Sequence, residues 1–493
     1  MVTEFTQGTD EDLWDRLNGI SGRNRVEVLV ELSDRAFAAR AFTRAQTLLE
    51  EALSTADEVG DRRWVAEILY AQGAAAFNAG RMGVAIGCYG QAAQVYCEIG
   101  MNREAGRALL CQADGHRELD SEEECLAAAL EAQRLAESED DVAAAGQACQ
   151  LQASVLQGLG RDQEALRACE ASRFHFQQAG RPEQVMRTDD LAITAHLRLG
   201  QLAEAQRVAD DCLAVARLSG KGASWARFRV AEVLVRRGKY TKALKLAAAA
   251  QKQYRKGGDL VGAAGCEWLR GDALVGLGRH HEALDAFEQA RAGFDTAGRL
   301  HEALGCQVDQ AIAWQRLGGH REAERINRRL VRAFAESSPD SAGAEWSAVR
   351  LLENLIAQGR YGDCCNTAEE LMGLWPDGST ATTLSYREFL GHWTWALSQT
   401  GRVEYAVAMA THVIKRTPSG VASPAAANSH EVRGRHRLDR QQPGAVQDLA
   451  RAISAHLALG QVERARGLAS HLARATADTH YAAQPAQSTP LAA

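Results

Sequence analysis

The stretch GLGRHHEALDAF, residues 276–287, has imperfect copies along the whole chain. Related stretches are LGRDQEAL, LGQLAEAQ, RGKYTKAL and LGGHREAE, which begin at positions 159, 199, 237 and 317. The position five residues after the turn glycine is always alanine or cysteine, and consecutive copies are separated by 38 to 42 residues. The eleven members of this anchor column are Ala45, Ala85, Cys125, Ala165, Ala205, Ala243, Ala283, Ala323, Cys364, Ala406 and Ala445. A fixed period of this length indicates an array of repeated structural units.

A second glycine column shows how each unit is divided. Its members, fifteen residues after the anchor, are Gly60, Gly100, Gly180, Gly220, Gly258, Gly298 and Gly460. Two glycine positions per unit predict two helices of about 15–18 residues. The small anchor residues allow two helix backbones to approach closely. Because one helix cannot bury its apolar stripe alone, neighbouring units must stack.

The columns resemble those of the tetratricopeptide repeat (TPR) family, in which small and aromatic positions alternate in the same order. The residues that fit this pattern best are Gly73, Ala85, Tyr89 and Ala92, and Gly271, Ala283, Phe287 and Ala290. A period near 40 is similar to the longer-helix variants found in signalling adaptors and in the sensor regions of bacterial regulators. The resemblance implies an all-α fold, a right-handed superhelical solenoid of about eleven antiparallel helix pairs.

The resemblance also sets the expected boundaries. The TPR-like superhelix is expected over residues 23–475, after an N-terminal extension, 1–22, with a short helix around Trp14. The segment 417–430, rich in Pro, Ser and Gly, predicts an irregular loop. Residues 476–493 are predicted to be a disordered tail. Four residues depart from the small column of the first helix, which makes the register least regular in the last repeats: Ile193, Leu352, Thr394 and Arg433.

The sequence contains none of the common catalytic signatures. Phosphate-loop, HExxH, GxSxG and dinucleotide-type glycine patterns are absent. The N-terminus does not read as a secretory signal, and no apolar run approaches the roughly 20 residues of a membrane helix. We therefore expect a non-enzymatic cytoplasmic protein that uses no cofactor and does not contact a membrane. The resemblance to regulator sensor regions implies a bacterial protein.

Adjacent histidines beside a carboxylate, His280, His281 and Glu282, raise the alternative of a metal site. The repeat columns favour a simpler explanation. His280 occupies a column of bulky residues, and His281 occupies a variable surface column. Glu282 falls in the first turn of a helix, where an acid complements the helix dipole. We therefore predict no metal site at this position.

In TPR arrays the first helix of each unit lines a concave face, which implies that residues at fixed offsets before the anchor contact a partner. Aromatic and arginine side chains are frequent interface anchors. The candidate partner-binding residues are Trp225, Phe228, Arg229, Glu232, Arg236, Trp268, Asp272 and Arg316. The expected function is a scaffold, adaptor or regulatory subunit that binds a protein segment in the groove. The alternative is an intracellular receptor for a small signalling peptide.

In TPR proteins that bind the C-terminal tails of chaperones, asparagines occupy the column eleven before the anchor. This chain has no asparagine in that column, so we do not expect a chaperone-tail receptor.

Charge is unevenly distributed along a chain whose net charge is −7. Residues 217–256 contain twelve Lys or Arg and one acid, Glu232. This stretch predicts either solvated outer faces or a docking surface for an acidic partner. The confinement of the basic stretch to one repeat and the overall acidity argue against nucleic acid. A second basic stripe is expected on an outer face and consists of Arg321, Arg325, Arg328 and Arg332.

Overall fold

Turn glycines and apolar stripes produce a chain that is helical almost throughout. The computed structural model describes residues 10–17, 19–219, 222–337, 342–374, 384–417 and 423–482. Over these ranges it contains 24 α-helices and no strand. The all-α prediction is therefore confirmed. The chain divides into two units, Met1–Lys239 and Tyr240–Ala493, each of which is described by itself.

The helices of the first unit are α1 (Asp10–Leu17), α2 (Arg23–Ala38), α3 (Phe42–Val59), α4 (Arg62–Asn78), α5 (Met82–Glu98), α6 (Asn102–Glu118), α7 (Glu122–Ser138), α8 (Val142–Gly158), α9 (Asp162–Gln178), α10 (Pro182–Arg198), α11 (Leu202–Ser219) and α12 (Ala223–Arg236). Those of the second unit are α13 (Tyr240–Lys256), α14 (Leu260–Gly276), α15 (His280–Thr296), α16 (Leu300–Arg316), α17 (His320–Ser337), α18 (Ala342–Ala357), α19 (Tyr361–Leu371), α20 (Leu384–Gln399), α21 (Val403–Arg416), α22 (Pro424–Asp439), α23 (Ala445–Ala458) and α24 (Val462–Ala482). A 3-10 turn, Met372–Leu374, follows α19.

In chain order α2 to α11 form five consecutive pairs within the first unit, and α14 to α23 form five within the second, as the period predicts. By their sequence positions α12 and α13 are the first and second helices of a further repeat, one in each unit. Every anchor residue lies in the second helix of its pair, with between 0% and 6% of its surface exposed. Glycine ends many of these helices because the chain must turn through the left-handed region, as at Gly278, where φ is 74°. The small residues therefore lie where helices meet.

The fit between first and second helices depends on glycines that face aromatic rings. A Cβ atom on Gly73 of α4 would lie 2.7 Å from the Tyr89 ring of α5. A Cβ on Gly146 of α8 would lie 2.9 Å from Phe176 of α9. Both distances are shorter than real carbon contacts, so the ring occupies the space that a side chain would need. Gly73 and Tyr89 lie twelve before and four after their anchor, so their contact explains why the small column and the aromatic column at those positions occur together. Gly146 and Phe176 make a similar contact at a different pair of repeat positions.

Two expected boundaries were wrong. The predicted loop 417–430 ends earlier, because α22 begins at Pro424. The Oγ of Ser423 accepts a hydrogen bond from the Ala426 amide at 3.2 Å, and proline suits the first helical position. Residues 418–422 lie outside the described residues. Residues 476–482 of the predicted tail are helical, because α24 continues to Ala482 through a run free of proline and glycine. Residues 483–493 lie outside the described residues.

Three further expectations concern the first helix, the four exceptions to the small column, and the last helix pair. At the position of the short helix predicted around Trp14 the structure has α1. Ile193, Leu352 and Thr394 are buried although they are not small. In the last pair the close contact shifts by one residue: a Cβ on Gly434, not on Arg433, would lie 2.8 Å from the Leu449 side chain.

The anchor column can be tested by enlarging one member. Ala165→Leu in α9 should destabilise the protein by about 1–3 kcal/mol, because a fully buried helix contact has no room for three more carbons. The measurement is the unfolding midpoint by circular dichroism. Gln163→Leu introduces the same side chain at an exposed position of the same helix and should leave the midpoint nearly unchanged. Equal midpoints for the two variants would contradict the assigned register.

Candidate partner-binding groove

The first helices of four consecutive pairs, α4, α6, α8 and α10, line an open cavity of about 610 Å³ in the first unit. The residues that line it are Tyr70, Arg107, Leu110, Cys111, Asp114, Arg117, Gln147, Gln150, Leu151, Ser154, Gln184, Arg187 and Leu191. They belong to first helices only, as expected of a concave face. We call this cavity the groove.

The apolar part of the groove is built around Tyr70. Its ring packs edge to face against Tyr89, with the centroids 5.4 Å apart. Its hydroxyl lies 3.4 Å from the Cys111 thiol, and burial raises the pKa of Tyr70 well above its usual value. Leu110 and Leu151 continue the apolar lining on the next two first helices. This part of the groove suits an apolar side chain.

The polar part of the groove is mainly basic. Arg107, Arg117 and Arg187 are exposed, and each comes from the groove side of its helix. The carboxylate of Asp114 lies 3.2 Å from the Arg117 guanidinium, and burial raises the pKa of Asp114. Guanidinium groups donate several hydrogen bonds in a fixed geometry that matches carboxylates and carbonyl oxygens. The groove therefore presents several exposed guanidinium donors.

Amide side chains complete the lining. The Nε2 atom of Gln150 donates to Thr188 Oγ1 at 3.2 Å and lies 3.4 Å from the Gln184 carbonyl oxygen. These bonds connect α8 to α10 across the groove. Gln147 is exposed beside them. Glutamine offers both a donor and an acceptor, which suits the backbone of an extended chain.

The sequence indicated part of this site. The columns fifteen and eleven before the anchor contain Tyr70, Leu110, Asp114 and Ser154, which line the groove. The arginines at 107 and 187 were missed, although they lie in a column eighteen before the anchor. Positions three or four apart share a helix face, so this column was a usable signal.

Helix α12 is the last helix of the first unit. Two of the predicted contact residues on α12 bind other residues of the protein. Arg229 is 8% exposed, and its Nε lies 2.8 Å from the Asp190 carboxylate. It donates from Nη1 to Glu232 at 2.6 Å and from Nη2 to Thr194 at 2.7 Å. Arg229 and Glu232 therefore hold α12 against α10. On the same helix Trp225 and Phe228 are half-buried and Arg236 is exposed.

The other three predicted contact residues belong to the second unit. The indole nitrogen of Trp268 in α14 donates to Asp309 at 2.6 Å, and its ring packs edge to face against Phe294. Trp268 thus joins neighbouring pairs within this unit. Asp272 is half-buried one turn further along α14, and Arg316 is exposed at the end of α16.

Two helices of the second unit, α13 and α17, have basic side chains on the exposed side and small or apolar residues on the buried side. On α13 the exposed lysines are Lys242, Lys245, Lys252 and Lys256, whereas Ala243, Ala247 and Ala250 are buried. On α17 three arginines of the predicted stripe are exposed, Arg321, Arg325 and Arg332, and so is Arg329. The fourth predicted member, Arg328, is half-buried and pairs with Glu324 at 3.2 Å.

Helix α15 places three neighbouring residues, His280, His281 and Glu282, in different environments. His280 is half-buried and His281 is exposed. Glu282 accepts two hydrogen bonds from Arg279, at 2.6 and 2.5 Å, which lower the pKa of its carboxyl group. No cluster of three His, Cys, Asp or Glu side chains suited to a metal occurs in the described part of the chain. Among the helices described, none combines the length and apolar character needed to cross a bilayer.

Helix pairs of fixed length, joined at small-residue contacts, define a helical-repeat protein. Residues 222–296 match the family model described as tetratricopeptide repeat, which confirms the resemblance that the columns indicated. No curated protein sequence matches the chain.

Solved structures with a similar fold are helical-repeat proteins of low sequence identity. BtubC (BKLC) from P. vanneervenii is 17% identical, with a TM-score of 0.38, and the match covers 43% of this chain and 88% of that one. The apo form of RapI is 11% identical, with a TM-score of 0.46, and covers 72% and 98%. A STAND protein with a tetratricopeptide repeat sensor from Pyrococcus horikoshii is 14% identical, with a TM-score of 0.47, and covers 74% and 55%.

The contacts of Arg229 generate a test of its role. Arg229→Ala should destabilise the protein by about 1–3 kcal/mol, because Asp190 and Glu232 lose their shared guanidinium. The unfolding midpoint in urea measures this effect. Arg236→Ala removes an exposed arginine of the same helix and should change the midpoint by less than about 0.5 kcal/mol. If Arg229→Ala left stability unchanged, the structural role assigned to Arg229 would be wrong.

Proposed function

We propose that the protein is a non-enzymatic interaction scaffold that binds an extended segment of a partner protein in the groove of its first unit. The observation that carries this proposal is the cavity lined only by first-helix residues of four consecutive pairs. The tetratricopeptide repeats of residues 222–296 support an interaction role. The partner would place an apolar side chain against Tyr70 and Leu110 and negative charge beside the exposed arginines.

The dimensions of the groove limit the length of the bound segment. First helices packed about 8–10 Å apart place four helices across roughly 25–30 Å. An extended chain covers that distance with about eight residues. A partner segment of this length would reach from Tyr70 at one end to Arg187 and Leu191 at the other.

Charge determines which segment is favoured. Three arginines and one partly buried aspartate line the groove, so its lining has more positive than negative groups. Arg107 also pairs with Asp141 at 3.7 Å, and Arg117 pairs with Glu118 at 3.3 Å. An acidic segment with at least one aromatic or aliphatic residue would pair with the arginines and fill the lining near Tyr70 and Leu110. Because the arginines are exposed, they contribute more to the association rate than to affinity.

A free signalling peptide is the second candidate occupant, and the modest volume of the groove favours it. A receptor differs from a scaffold in its response to the ligand, since a peptide that bridges several repeats would tighten the array. Small-angle scattering with and without a selected peptide separates the two functions. A smaller radius of gyration with the peptide supports the receptor, and no change supports the scaffold.

The remaining predicted contact residues stay separate proposals, one for each unit. In the first unit they are Trp225, Phe228 and Arg236, since Arg229 and Glu232 are engaged with each other within the protein. In the second unit, Asp272 and Arg316 keep their proposed contact roles. Trp268 contributes through its outer edge, because its indole nitrogen is bound to Asp309.

Blocking the groove tests the primary proposal. Peptides selected by display against the full-length protein should bind the Ser154→Trp variant at least about tenfold more weakly, because the indole fills an exposed groove position. Fluorescence anisotropy with the labelled peptides measures the dissociation constants. Glu170→Trp places the same side chain on an exposed site of the second helix α9 and should leave binding unchanged.

Two results would contradict the assignment to the groove. One is equal affinity for wild type and Ser154→Trp. The other is a loss of binding only in the double variant Trp225→Ala, Arg236→Glu, which would move the binding surface to α12.

A further inference from the structure

Two second helices of the array have exposed faces of opposite charge. In the first unit α7 and the turns that flank it are acidic, since residues 118–141 contain ten Asp or Glu and one Arg. In the second unit α13 contains four lysines, one arginine and no acid. Neither helix lines the groove, so these faces are separate from the function proposed for it.

The basic face of α13 has lysines near both ends of the helix. Their spacings of three, seven and four residues place them on one side of the helix. All four are exposed, and none has an ion pair within the described residues. The one arginine, Arg255, pairs with Glu267 at 3.4 Å. We call this surface the lysine face; its residues are Lys242, Lys245, Ala248, Ala249, Lys252 and Lys256.

The charge of the lysine face is kept at a cost to the helix. Like charges three or four residues apart destabilise a helix, and a cation in the first turn opposes the helix dipole. Lys242 lies directly before the anchor, at a position that is an acid in most of the neighbouring repeats. Two of these acids, Glu164 and Glu282, bind the arginine three residues earlier at 2.6 and 2.5 Å. A residue that breaks a local rule at a cost is a signal of function.

The exposed face of α7 is acidic at both ends. Glu123 and Glu124 are exposed, and neither has an ion pair in the described part of the chain. Glu137 is exposed one turn from the other end, 3.4 Å from His175 Nε2. Arg134, the one basic residue of α7, pairs with Glu131 at 2.5 Å. We call this surface the acidic face; its residues are Glu123, Glu124, Ala127, Leu130, Glu131 and Glu137.

Both turns that flank α7 add negative charge, again at a structural cost. Asp120 and Asp140 have φ values of 53° and 52°. In the next repeat the corresponding turn positions are Gly160 and Gly180, which adopt this left-handed region without strain. Neither aspartate has an ion pair within the described ranges. Acids thus occupy two positions at which glycine would be less strained.

The two faces match in length and at their midpoints. Glu123 and Glu137 are separated by the same number of residues as Lys242 and Lys256. At the rise of an α-helix this separation is roughly 21 Å. Leu130, which is 51% exposed, lies half-way along the acidic face.

Small residues lie half-way along the lysine face. Ala248 and Ala249 are exposed and project only a methyl group, so a second helix can approach closely. Two helices that lie side by side can therefore form the charge pairs at both ends while Leu130 covers Ala249 at the centre.

We propose that the acidic face of one copy of this protein docks on the lysine face of a second copy. A second copy is the occupant that the sequence itself supplies, because the chain contains a surface that matches the lysine face in charge, length and midpoint. The contact joins two different surfaces, so each new copy leaves one of each free. Assembly therefore continues beyond two copies unless a ring closes.

The contact is expected to be weak and sensitive to salt. The whole chain has a net charge of −7, which opposes association of two copies. At physiological ionic strength, however, charges act over only about 8 Å, so the facing residues dominate. Exposed ion pairs stabilise a contact only slightly each, so several must form together.

Sedimentation velocity of the full-length protein tests the proposal. At about 50 mM NaCl wild type should form species heavier than the monomer, in a fraction that rises with protein concentration. At about 500 mM NaCl it should be monomeric, because screening weakens the exposed charge pairs. A monomer at low salt and about 100 µM protein would overturn the proposal.

Charge reversal of each face provides the sharper test. One double variant is Lys242→Glu with Lys256→Glu, and the other is Glu123→Lys with Glu137→Lys. Each alone should associate at least about tenfold more weakly than wild type. An equimolar mixture should associate again, because the acidic face of the first variant meets the lysine face of the second. Misfolded variants could not regain association in this way. If the mixture associated no more than either variant alone, the proposed contact would be wrong.

A control with the same change in net charge separates the lysine face from basic surfaces in general. Arg329→Glu with Arg332→Glu reverses two exposed arginines of α17 and should associate like wild type. Equal weakening in this control would count against the lysine face. Salt-sensitive binding of a labelled DNA duplex, without self-association, would assign the lysine face to nucleic acid and also overturn the proposal.

Discussion

The close approach of two helix backbones at each anchor residue is the constraint on which the structure depends. Ala165 and ten equivalent residues are almost completely buried, and a larger side chain would force the helices apart. Glycines such as Gly73 and Gly146 serve the same purpose from the first helix, where they receive the rings of Tyr89 and Phe176. Each unit thereby gains a fixed contact between its two helices. Repeating that contact produces the array, since each repeat buries its apolar face only against its neighbours.

This constraint leaves the other faces of the helices free to vary, which is where binding can develop. Exposed faces of second helices have acquired charge, as in the lysines of α13 and the arginines of α17. Faces of first helices in the first unit have acquired a mixture of aromatic, amide and arginine side chains around one cavity. Because the scaffold is maintained by buried small residues, substitutions at exposed positions of the groove should cost little folding stability.

The sequence predicted the fold well because a single periodic signal determines it. Eleven anchors placed eleven second helices correctly, and the loop boundary failed only where local capping by Ser423 and Pro424 overrode composition. The site was harder to predict. Exposure and pairing depend on neighbouring repeats, so Arg229 looked like an interface anchor although Asp190, thirty-nine residues earlier, binds it. Arg107 and Arg187 share the column eighteen before the anchor. The structure shows that this column faces the groove, which the types of residue in the column do not reveal by themselves.

Polar residues at buried positions need individual explanations, and their partners show how far each charge is compensated. Glu267 is surrounded by Gln251, Arg255 and Arg270, so its charge is compensated within the second unit. Such networks fix how repeats pack and need no ligand. Asp189 has a distant guanidinium, a weak thiol donor and an adjoining cavity. Since a buried carboxylate gains more from a strong donor than from either of these, the charge of Asp189 is less fully compensated within its unit than that of Glu267. The same comparison, made column by column, shows which buried charges the repeats themselves satisfy.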